Sequence, residues 1–72
     1  MTKEQKYRDV TRFLRSKGWE FKRQAKGSHE MWGPETGNAK PISLVAHKGN
    51  VSVGVVREIK NRFHGATPPE WE

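Results

Sequence analysis

Seventy-two residues without cysteine leave room for one small domain and exclude disulfides and thiolate metal sites. No apolar run approaches the roughly 20 residues of a membrane span, and the first residues lead into no signal-peptide core, so a soluble cytoplasmic protein with no membrane partner is expected. The formal charge is +6, and it is one-sided: residues 1–26 carry nine Lys or Arg against three acidic residues, while residues 27–72 carry five of each. Such a field either draws polyanions, nucleic acid first among them, or simply solvates one face.

In chain order, Thr2 and Gln5 have capping-box spacing. Tyr7, Val10, Phe13 and Leu14 then recur at helical spacing, and Gly18 supplies a left-handed stop. The spacing predicts a helix over about residues 3–17. Trp19 to Gln24 alternates bulky apolar with charged residues, which predicts a strand with Trp19 and Phe21 inward and Glu20 and Lys22 outward. Ala25-Lys26-Gly27 reads as a turn. Ser28 to Trp32 resumes strand character, with His29 and Met31 on one face and Ser28, Glu30 and Trp32 on the other. Residues 33–38 have hairpin-loop chemistry, and Lys40 to His47 reads as a third strand with Ile42, Leu44 and Ala46 alternating. After the loop Lys48-Gly49-Asn50, Ser52 is placed to cap a second helix carrying Val55, Val56, Ile59 and Phe63. His64-Gly65 stops it.

The fold class that follows is α+β. A single α-β-β-β-α domain over 1–64 has a three-stranded antiparallel sheet with both helices on one face. Residues 65–72 read as a flexible tail, with Pro68-Pro69 and Trp71 in it.

Candidates for chemistry are few. There is no phosphate-binding glycine loop and no carboxylate pair in an apolar setting. His29, His47 and His64 form no chelating pattern, so neither metal nor other cofactor is expected. His29 stands apart, because it follows a glycine turn beside Lys22, Arg23 and Lys26. RNA carries its own nucleophile, the 2′-hydroxyl. Cleaving it needs a proton acceptor and donor near neutral pH and cations for the developing phosphorane charge. The residues alone leave open a structural or merely exposed histidine. Gly27 lets the backbone approach a phosphate or serves the turn, and Ser28 sets the loop or is solvated. Lys22, Arg23 and Lys26 are RNA phosphate ligands as a cluster or solvated surface. His47 is a second proton carrier or a structural histidine. Trp19, Phe21 and Leu44 are core, whereas Trp32 is core or a base-stacking platform.

Gly27-Ser28-His29-Glu30-Met31-Trp32 resembles the Gly-Ser-His-x-x-aromatic signature of HicA-type (YcfA-like) mRNA interferase toxins. Leu14 to Trp19 is similar to that family's junction of first helix and first strand, Gln24-Ala25-Lys26-Gly27 to its polar run into the signature, and Ile42 to His47 to its third strand ending in histidine. Gly54, Val55 and Ile59 resemble the opening of its second helix. The likeness spans about residues 7–63. It implies a double-stranded-RNA-binding-domain-like fold and a ribosome-independent ribonuclease that cleaves mRNA and inhibits translation; with no chelating pattern in the chain, the endoribonuclease is expected to be metal-independent. It also implies His29 as the catalytic residue and a HicB-like antitoxin that covers it. A monomer that assembles with the antitoxin is expected for the free chain. Two departures stand out: Leu44-Val45-Ala46-His47 lacks the family's proline before the histidine, and the tail extends beyond the common end. The alternative is a non-catalytic RNA-binding module of the same fold. Such modules present a basic helix terminus to phosphates, but Ser52-Val53-Gly54-Val55 opens the second helix without Lys or Arg.

Overall fold

The computed structural model describes residues 2–64 and 66–71, apart from the side chain of His47. In chain order the elements are β1 (Gln5–Lys6), α1 (Tyr7–Ser16), β2 (Trp19–Gln24), β3 (Glu30–Pro34), β4 (Ile42–Leu44), β5 (Ala46–His47), β6 (Asn50–Val51), α2 (Val53–Arg62) and a 3-10 turn at Pro69–Trp71. The fold is the α+β arrangement expected, a three-stranded antiparallel sheet with two helices. Neither helix is long and apolar enough to cross a membrane.

The main sheet has the order β2-β3-β4, with Phe21 opposite Trp32 and Trp32 opposite Ile42. Alternation puts Trp19, Trp32, Ile42 and Leu44 on the helix-facing side, where all four are buried against Val10, Leu14, Val56 and Ile59. Met31, Gly33 and Ser43 lie on the other side. Phe21 shares the inner side but is 46% exposed, so its expected place in the core is corrected. Phe21 lies on edge strand β2, and the ring recorded against it is Trp32 of the neighbouring strand rather than a side chain of either helix.

Three further departures come from tertiary contacts. The capping box does not form, because Gln5 and Lys6 pair with Val51 and Asn50, and Lys6 takes the N-cap position without a side-chain bond. The first-turn amide of Tyr7 donates instead to the Gly49 carbonyl at 2.9 Å, so the turn between β5 and β6 does the work of a cap. Ser52 does occupy the N-cap of α2, again with no side-chain cap bond. The expected third strand divides at Val45. Lys48 (φ 54°) and Gly49 (φ 80°) both adopt positive φ, the mark of a two-residue primed turn, and fold β5 back on β6. That brings Val51 into the core.

The C-terminal segment also differs from an unstructured tail. Trp71 is buried, with its ring 5.2 Å from that of Phe13. Phe63 meets both Phe13 and Trp19 at 5.3 Å in edge-on geometry. A ring of the area of Trp71 gains more by burial against Phe13, itself packed on Phe63, than by solvation, which outweighs the tail's turn-forming composition.

Candidate active site

The β2–β3 hairpin builds the His29 site. The His29 amide donates to the Lys26 carbonyl at 3.3 Å, closing a four-residue turn over 26–29, and the Ala25 amide donates to the His29 carbonyl at 2.7 Å. Gly27, at the second turn position, has φ +65°, whereas Ser28 does not enter the positive region. A turn with this pattern requires glycine there. The Gln24 side-chain amide donates to the carbonyls of both Gly27 (3.0 Å) and His29 (3.2 Å), pinning the turn from beneath. His29 therefore closes the turn, and the strand begins one residue later, at Glu30.

The imidazole is exposed, and its Nδ1 lies 3.1 Å from the Ser43 hydroxyl on β4. Among the described residues no hydrogen bond engages Nε2, so that nitrogen is the one available to a substrate. A bulge between Phe21 and Arg23 aligns Arg23 with Met31, which puts Arg23 on the face of the sheet that His29 and Met31 share. Lys26 contributes to the turn itself. Lys22 is placed differently: its stem lies over Gly33 and its ammonium bonds Glu20 at 2.9 Å, away from the turn. Ser28 is exposed in the turn. The side chain of His47 lies outside the described residues.

Beneath the site, on the helix-facing side, Glu30 accepts hydrogen bonds from the Tyr7 hydroxyl (2.6 Å) and from the Trp32 indole N–H (3.0 Å). The carboxylate joins α1 to β3 immediately after His29. Burial, reinforced by the bond to Glu30 and by its charge and opposed by Arg15, pushes the Tyr7 hydroxyl up to about 12 from 10.0. A folded value above the unfolded one means the folded chain keeps a proton that the unfolded chain loses first. The associated stability is complete below pH 10 and is lost as pH rises through about 12. The stability advantage of the parent over Tyr7→Phe, read from urea melts, should accordingly shrink across that range. A difference that stays flat would remove this linkage.

Sequence reasoning missed Gln24, Ser43 and the Tyr7–Glu30 link. Parity along β3 puts His29 with Met31, but only the pairing of Met31 with Ser43 brings the hydroxyl to the imidazole. Trp32 proves to be core, at 1% exposure. Among the described residues no three His, Cys, Asp or Glu side chains cluster as a metal site would need. A groove of about 400 Å³ lies between α1 and the C-terminal turn, lined by Asp9, Arg12, Phe13 and Trp71 among others, and shares no residue with the His29 site.

The geometry is thus an exposed histidine held at Nδ1 beside a glycine turn, with Lys26 in that turn and Arg23 on the strand before it, on a small α+β domain. A family model described as HicA toxin of bacterial toxin-antitoxin matches residues 7–63, from the start of α1 to the residue after α2. The chain belongs to that family and is a toxin of the toxin–antitoxin kind. Comparison with curated proteins and with solved structures gave no match.

Proposed function

We propose that this toxin is an mRNA interferase, a metal-independent endoribonuclease that cleaves mRNA in the cytoplasm and so inhibits translation, with His29 as its acid–base. The observation that carries this reading is the exposed His29 imidazole engaged at Nδ1 by Ser43. Nε2 takes the proton of a ribose 2′-hydroxyl as the 2′-oxygen bonds to the adjacent phosphorus. The P–O5′ bond breaks, and the imidazolium returns the proton to the departing 5′-oxygen. Arg23 and Lys26 offset the charge that develops on the phosphorane oxygens, and Lys22, paired with Glu20 further along the strand, meets the RNA backbone beyond the cleaved bond. Gly27 and Ser28 present the turn backbone to the phosphate. His47 is carried as a secondary proton group on β5.

Neutralisation follows from the same exposure. A HicB-like antitoxin that covers His29 blocks the substrate's approach, and the free toxin acts as a monomer.

Purified chain incubated with a defined mRNA, without ribosomes and in excess chelator, should cut it at an undiminished rate. Activity lost on chelation and restored by a divalent cation would overturn the metal-independent mechanism. Binding without cleavage under all conditions would favour the RNA-binding module.

A further inference from the structure

The structure selects the core role for Trp32 and takes Phe21 out of the core expected for it. Trp32 is buried, and Phe21 is the large apolar side chain that stands exposed among the described residues. Phe21 meets the Trp32 indole edge-on at 6.3 Å, while the Arg15 guanidinium lies over the same indole, 5.2 Å from its centroid. An apolar ring and a planar cation, both exposed, thus border one buried indole. That indole is itself fixed by its N–H bond to Glu30, and Glu30 by Tyr7. Phe21 is consequently supported from behind by a rigid surface, and little side-chain freedom remains for a ligand to remove.

The surroundings specify the ligand. The net positive charge of the chain lies within residues 1–26, the segment that contains Arg15, Phe21 and Arg23. The bulge after Phe21 sends Arg23 to the His29 face while Phe21 stays on the Trp32 face, so the edge of β2 is apolar on one side and cationic on the other. From Phe21 to Gln24, whose amide pins the His29 turn, is about 10 Å of strand. One short single strand can wrap this edge with a base on Phe21 and its backbone beside Arg23 and His29. A base paired in a duplex is stacked on both faces and has none to offer.

We infer that Phe21 and Arg15 form a stacking subsite for an unpaired base of single-stranded RNA, neighbouring the scissile phosphate. This rests on the RNA-cleaving reading and adds a substrate class to it. Every base has a π face, so the subsite recognises single-strandedness more than sequence. Arg15 contributes its planar cation to the same base or to the phosphate next to it.

The test measures binding apart from cleavage, in a His29→Ala background, by anisotropy of a labelled single-stranded RNA of mixed sequence. Phe21→Ala and Phe21→Leu should weaken binding by roughly 5- to 100-fold, the effect of losing one base–aromatic stack. Phe21→Trp should retain it. The salt dependence should keep its slope, since no phosphate contact is lost. An oligonucleotide with abasic positions should bind the parent and Phe21→Ala equally, and Phe21→Leu serves as the folding control because it keeps the packing on Trp32. Equal affinity across the Phe21 series overturns the subsite, including the case in which Phe21→Ala impairs only capture by a protein partner. Cleavage that persists in His29→Ala would instead overturn the catalytic assignment and leave the subsite standing, so the two failures are separable.

Discussion

His29→Ala is expected to abolish both RNA cleavage and growth arrest while the domain remains folded. A positioned acid–base group contributes about 10²–10⁴-fold, and here one imidazole serves both proton transfers, so the loss should reach the upper part of that range. The fold should survive because the side chain is exposed and its one hydrogen bond is to Ser43, whereas the bonds that close the turn are made by backbone atoms and Gln24. Growth and total RNA during induced expression of each protein, with matched circular dichroism spectra, would decide the matter. A folded His29→Ala protein that still cuts RNA would remove the assignment. Ser43→Ala offers a graded companion: a loss of about 2- to 10-fold in cleavage rate, the worth of one neutral hydrogen bond, that Ser43→Thr restores.

Trp32→Ala should have the largest effect on stability. Removing a fully buried tryptophan costs about 3–5 kcal/mol, and a domain of this length has about 4–11 kcal/mol in total. The substitution also takes a donor from Glu30 and the surface beneath Arg15. Thermal melts should show a fall of well over ~10 °C, or no cooperative transition at all. Phe21→Ala, at a half-exposed edge, should cost about 1 kcal/mol. If Phe21→Ala proved the more damaging of the two, the burial argued for both aromatics would be wrong.

Much of the architecture was legible because it depends on local patterns. The strand Trp19–Gln24 lies where alternation predicts it, and the left-handed Gly18 and Gly27 mark a helix end and a turn. Ends of elements were less legible. The Thr2–Gln5 capping box starts the predicted helix near residue 3, yet Gln5 and Lys6 pair with β6, and Trp71 leaves a proline-rich segment to pack on Phe13. In each case a partner distant in sequence offered hydrogen bonds or apolar area that local propensity could not match.

The site divides along the same line. The helix-strand-strand-strand-helix order, the glycine turn and the histidine that closes it can be read from local pattern, because each rests on residues within a few positions of one another. The fold in three dimensions is what brings Ser43 to His29, ties Tyr7 to Trp32 through Glu30, puts Arg23 on the face that His29 shares, and leaves Phe21 rather than Trp32 exposed. Those outcomes depend on strand register and on how far a ten-residue helix reaches across a sheet. Register joins residues that are not chain neighbours, and its choice follows from the summed burial of the whole core rather than from any local signal.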